Sequence, residues 1–196
     1  MNKKIKYFTL IIFCSLLISG CTLKKTQEEN SDSNDTPTPE VAATVTPTTM
    51  TQNEPVVSLK TKNGEILIKL YQDKAPNTVS NFTKKADSGF YNNLTFHRVE
   101  PSFVVQGGDP QGTGYGGGKI ASEINQTPFQ RGSVGLARAN DIKFSNDSQF
   151  FICLSTETCS GLTGLYVNFG EVISGMEFVD QIKVGDKIIS VTSETK

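Results

Sequence analysis

The stretch Phe96–Asp109 reads FHRVEPSFVVQGGD. Two runs of strand-forming residues, Thr95–Val99 and Phe103–Gln106, surround a turn signal at Pro101-Ser102, and a Gly-Gly pair closes the second run. Arg98 stands among the apolar residues of the first run, with Gln106 eight positions on. A buried or half-buried guanidinium is costly unless something requires it. On a regular strand Arg98 and Gln106 would share a face, although the turn between them makes that parity only suggestive. His97, the single histidine of the chain, is expected on the opposite face from Arg98, as a buried, hydrogen-bonded structural residue.

Outward from this stretch the pattern is rich in strands. Val56–Lys60 and Ile66–Leu70 flank Asn63-Gly64, a strong hairpin signal. Ser133–Ala137, Gln149–Leu154, Val167–Ile173 and Ile188–Val191 are further strands, and the second of these is apolar enough to be buried. Ala75-Pro76 opens a helix carrying Val79, Phe82 and Ala86 at helical spacing, and Gly89 stops it. Met176, Val179 and Ile182 mark a second, short helix. Gly107–Gly118 is a long glycine-rich loop. Many strands with only two helices predict a mainly β fold, a barrel or sandwich with helical caps.

The first fifty-odd residues are of another kind. Lys3, Lys4 and Lys6 precede an apolar run, Phe8–Ile18, too short to span a bilayer comfortably. Ile18-Ser19-Gly20-Cys21 then resembles a bacterial lipobox. The expectation is a signal peptide over 1–20 and lipidation of Cys21, which becomes the first mature residue. Residues 21–54 form a tether rich in Thr, Pro and Ser, too poor in large apolar side chains to offset its ordering entropy. The folded domain is expected over 55–196. Beyond the leader and Cys21, only Cys153 and Cys159 remain. Export permits a disulfide between them, and the sequence leaves the pairing open.

Several chemistries are excluded. The net charge of −1, without a basic stripe, argues against nucleic acid. One histidine and two cysteines in the domain are too few for an ordinary zinc site. No GxSxG elbow accompanies His97. The loop Gly112–Lys119 has neither the Ser or Thr after its lysine nor the helix that a phosphate loop requires.

The ordered blocks Phe96-His97-Arg98-Val99, Phe103–Asp109, Ser148–Ile152 and Phe169–Val172, with Asn81-Phe82 in the first helix, resemble the cyclophilins, the cyclosporin-type peptidyl-prolyl isomerases. The resemblance covers roughly Val56–Thr192. It implies an eight-stranded antiparallel β-barrel closed by two helices, and interconversion of cis and trans X-Pro bonds without metal or cofactor. By the same resemblance Arg98, Gln106 and Phe103 are catalytic. Val104, Ala137, Arg138, Ala139, Gln149, Phe151, Leu162 and Tyr166 bind substrate. On pattern alone Phe103, Phe151 and Leu162 would be core, and only the resemblance makes them pocket lining.

The chain departs from the family's pattern in places. It has no tryptophan, and the position where that residue meets cyclosporin falls near Ser160 or Gly161. Tyr166 stands where a pocket histidine is usual and Val104 where a methionine is common. Weak or absent cyclosporin binding is therefore expected. The remaining expectations are a monomer acting on proline-containing polypeptides, lipid-anchored on the extracytoplasmic side of the cell membrane. The alternative is a catalytically weak chaperone or adhesin module that holds Pro-containing segments.

Overall fold

The computed structural model describes residues 54–194; the readings made on residues 1–53 lie outside them. Among the described residues there are ten strands: β1 (Val56–Thr61), β2 (Gly64–Leu70), β3 (Phe96–Glu100), β4 (Val104–Gly107), β5 (Lys119–Ala121), β6 (Ser133–Leu136), β7 (Phe144–Asn146), β8 (Phe150–Cys153), β9 (Asn168–Ser174) and β10 (Ile188–Glu194). Eight of them form one sheet in the order β10-β1-β2-β9-β6-β8-β4-β3, with every pairing antiparallel. The sheet curls into a half-barrel. Its two outer strands approach where Thr95 bridges Lys187 and Phe96 N–H donates to the Asp186 carbonyl at 2.9 Å. These eight are the strands expected from the pattern. The remaining two, β5 and β7, pair only with each other.

Alternation along the strands sorts the side chains into two sets. Val57, Leu59, Ile66, Ile68, Val105, Val134, Ile152 and Val191 point inward and are buried in the main core. Helix α1 (Pro76–Asp87) closes one end of this core. Its Val79, Phe82 and Ala86 recur at helical spacing and are buried. The Phe82 ring lies 5.1 Å from both Tyr91 and Phe169, and edge-on to Phe150 at 5.6 Å. Burying a side chain such as Phe82 contributes about 1.5–3 kcal/mol.

The start of α1 is capped from a distance. Ala75 has no side chain to cap it, and Glu123 supplies the acceptor, taking the N–H of Asn77 at 3.0 Å and of Thr78 at 2.7 Å. Pro76 needs no partner, because it has no N–H. The helix ends at Asp87, two residues before Gly89, whose φ of 73° lies in the left-handed region that glycine adopts freely.

Met176–Val179 is the short second helix expected from the sequence, although it ends before Ile182, which the expectation included. A helical turn at Thr156–Cys159, continued by a 3₁₀ turn at Ser160–Leu162, was not expected. Cys153 and Cys159 form a disulfide with their Cα atoms 6.3 Å apart, which ties this segment to the end of β8. That separation lies within the range a disulfide spans.

Candidate active site

The outward face of the sheet carries the site. Register places Arg98 opposite Gln106, Gln106 opposite Phe151, and Phe151 opposite Gly135, in one row across β3, β4, β8 and β6. Next to it lies a second row, Glu100, Val104 and Cys153. The shared face of Arg98 and Gln106 follows from an irregularity. The register between β3 and β4 shifts between Phe96 and Arg98, so His97 is an extra residue. This lets Phe96 fill the barrel core while Arg98, two positions on, faces outward.

Arg98 is half-buried and held from two sides. Its Nη1 donates to Gln106 Oε1 at 3.1 Å. Its Nε donates to Glu100 Oε1 at 3.1 Å, and its Nη2 forms an ion pair with the same oxygen at 2.8 Å. Gln106 passes the chain on, its Nε2 donating to Gln149 Oε1 at 3.0 Å. Gln149 is buried, and its Nε2 donates to the Gly116 carbonyl at 2.8 Å. Two glutamines thus link the guanidinium to the glycine-rich loop.

Asp109 shapes that loop. It is buried and accepts backbone N–H groups from Gln111, Thr113, Gly114 and Gly116. Burial opposes its ionisation, but the four N–H donors outweigh it and hold the carboxyl below the ordinary range. The loop passes so close to the carboxylate that a Cβ at Gly116 would overlap Asp109 Oδ1. Phosphate binding has no part in this arrangement, since the amides a phosphate would need are already taken by Asp109.

The pocket beside Arg98 has a volume of about 160 Å³. Phe103, Val104, Phe151, Leu162 and Tyr166 supply its apolar lining, with Gln106, Ala137 and Arg138 at its edge. Phe151 and Val104 are buried yet belong to a cluster apart from the barrel core, together with Phe129 and the disulfide. The two readings of Phe151 are therefore both true: it is packed below and exposed to the pocket above. Phe129 stacks on it at 5.6 Å, and Tyr166 meets it edge-on at 5.7 Å. Arg138 lies over the Tyr166 ring at 4.5 Å and donates to the Leu165 carbonyl at 2.9 Å. Ala139 and Gln149 do not line this pocket; they belong to an adjoining cleft that shares Gln106, Ala137 and Arg138 with it.

His97 departs from the expectation in one respect. It is half-buried, but among the described residues neither ring nitrogen has a hydrogen-bond partner. The ring packs instead against the loop at Gly114. Burial lowers its pKa, and nearby Asp109 only partly opposes this. Sequence reasoning missed Glu100 and gave Asp109 no role of its own. Spacing offered a signal for Glu100, because residues two apart on a strand share a face. Among the described residues no group of three or more His, Cys, Asp or Glu side chains could hold a metal ion.

Fold and site together define a half-barrel enzyme type in which a tethered guanidinium stands beside a small apolar pocket. The family model described as cyclophilin type peptidyl-prolyl cis-trans isomerase/CLD matches residues 56–195, and the chain belongs to that family. A peptidyl-prolyl cis-trans isomerase of Synechococcus elongatus is 42% identical over 137 residues, covering 68% of this chain and 92% of that protein. Peptidyl-prolyl cis-trans isomerase B of Bacillus subtilis is 43% identical over 135 residues, covering 67% and 92%. A cyclophilin type isomerase of Cryptosporidium parvum, solved in the presence of the dipeptide Ala-Pro, superimposes with a TM-score of 0.64 at 30% identity, covering 72% of this chain and 99% of that one.

Proposed function

We propose that this protein interconverts cis and trans X-Pro bonds in exported polypeptides, assisting their folding from a lipid anchor at Cys21 on the outer side of the cytoplasmic membrane. Isomerase activity is the activity of its family. The observation that carries the catalytic reading is the row Arg98–Gln106–Phe151, which sets a fixed cation beside a small apolar pocket.

The chemistry needs little else. Resonance between nitrogen and carbonyl gives an amide a rotational barrier of about 18–20 kcal/mol. A quarter turn breaks that resonance and leaves a localised lone pair on the proline nitrogen. A guanidinium N–H aimed at this lone pair is a better partner for the twisted amide than for either planar form. That difference lowers the barrier, with no bond made to the protein and no proton transferred. In this reading Phe103, Phe151, Leu162 and Tyr166 grip the proline ring. Gln106 holds Arg98 and faces the substrate carbonyl. Val104, Ala137, Arg138, Ala139 and Gln149 border the peptide on either side. Proline isomerisation takes tens of seconds unaided, slow enough to limit the folding of an exported chain.

The leader, the lipobox-like Ile18–Cys21 and the polar tether support the location. Two acyl chains on a lipidated cysteine suffice for stable anchoring. The absence of tryptophan supports weak cyclosporin binding. The activity is tested by following cis–trans relaxation of an X-Pro peptide with the purified protein; acceleration is expected, and peptide binding without acceleration would leave only a Pro-peptide-binding module. The location is tested by replacing Cys21 with serine and fractionating cells. Loss of membrane association and of normal processing is expected, and an unchanged distribution would overturn the anchor.

A further inference from the structure

Arg98 has a second anchor that neither the row of site residues nor the pocket lining includes. Glu100 lies two positions on along β3, on the same face, and a single oxygen, Oε1, accepts the Nε hydrogen at 3.1 Å and pairs in charge with Nη2 at 2.8 Å. Gln106 takes one Nη1 hydrogen from the other side. A guanidinium has five N–H donors, so about three are not engaged in these hydrogen bonds. The Glu100 and Arg98 side chains are 53% and 40% exposed.

We propose that Glu100 is a positioning residue for catalysis: it fixes the plane of the Arg98 guanidinium so that the unclaimed N–H groups are presented to the twisted amide. The proposal rests on the catalytic reading of Arg98. A carboxylate beside a catalytic cation has two opposite effects. It restricts a long, rotamer-rich side chain to one geometry, which favours catalysis. It also offsets the positive charge, which opposes catalysis. Exposure decides between them. Water screens the field of a half-exposed carboxylate, whereas the directed Nε hydrogen bond and the close Nη2 contact persist as a geometric restraint. Arg98 stabilises the twisted amide through a directed N–H, so orientation outweighs net field at this site.

Three variants of the full chain test this: Glu100→Ala, Glu100→Gln and Arg98→Ala. All are assayed for kcat and KM on one X-Pro peptide, with the melting temperature measured on the same samples. Glu100→Ala is expected to lower kcat about two- to fivefold, the population shift an exposed ion pair can supply. KM should hold, because the apolar pocket is untouched, and the melting temperature should hold, because Glu100 is exposed. Glu100→Gln keeps an oxygen acceptor for Nε without the charge, and should restore most of the loss. If Glu100→Ala leaves kcat unchanged or raises it, or if Glu100→Gln fails to rescue, the positioning role is overturned while a large loss in Arg98→Ala still upholds the catalytic reading. Full activity in Arg98→Ala would overturn both.

Discussion

Phe151 lies across from Gly135, and the close approach of the two depends on the missing side chain. A Cβ on Gly135 would overlap Phe151 Cζ and stand 2.8 Å from the Phe129 ring. The stacked pair Phe129–Phe151 therefore sits down onto β6, and the depth of the apolar pocket is set from beneath. Gly135→Ala should push Phe151 up into the pocket. The expected result is a raised KM for X-Pro peptides and a destabilisation of about 1–3 kcal/mol, the usual range for overpacking. Peptide titration and thermal unfolding of the variant check this; unchanged KM would mean that Phe151 does not floor the site.

The disulfide acts on the same pocket from its side. Cys159 lies within 3.4 Å of the Phe103 carbonyl, and Leu162 follows in the next turn. Both cysteines are buried against Phe151 and Val104. Closing so short a loop stabilises by only about 2 kcal/mol in the chain-entropy account. Replacing Cys153 and Cys159 together with alanine should lower the melting temperature by several degrees and raise KM through a looser Leu162 and Phe103. A fall in melting temperature with KM unchanged would confine the crosslink to stability.

Acid should unfold the protein through identifiable carboxylates. The folded-state pKa of Asp109 is depressed by its N–H donors against the pull of burial. For Glu123 burial again opposes ionisation, and the N–H groups of Thr78 and Asn77 overcome it. A carboxylate whose folded pKa lies below its unfolded value stabilises above the unfolded value, about 4. That stability is lost as pH falls from there through the depressed folded value. Asp109→Asn and Glu123→Gln should therefore be less stable than the parent at neutral pH and show a flatter decline below about pH 4.5. Denaturant midpoints across pH 2–7 measure it, and parallel curves for parent and variants would contradict the assignment.

The strands of the large sheet were legible in the sequence because each buries an apolar row on one face. β5 and β7 were not: Lys119–Ala121 and Phe144–Asn146 are short, largely exposed and without apolar alternation. The turn at Thr156–Cys159 escaped for a similar reason, being four residues with a single buried side chain. The family resemblance found Arg98, Gln106 and the pocket residues, and the structure gathers most of them around one cavity. It could not show that His97 is an extra residue in β3, because an irregularity in register belongs to a pair of strands and not to either alone. Glu100 shares the face of Arg98 by spacing, yet its own residue type pointed elsewhere. A charged residue at a strand end reads as solvent-facing until the arginine beside it is given a side-chain direction.

The central claim is that Arg98 stabilises the twisted amide. Arg98→Ala, assayed on an X-Pro peptide alongside its melting temperature, tests it most directly. Loss of a charge-assisted hydrogen bond in a partly desolvated site should cost about 1.5–3 kcal/mol, and 1.4 kcal/mol is already tenfold in rate. The predicted result is a fall in kcat/KM of at least about tenfold with the melting temperature little changed, since the partners left behind, Glu100 and Gln106, are exposed or half-buried. Full activity in Arg98→Ala would contradict the mechanism, and joint loss of activity and fold would make Arg98 a structural residue.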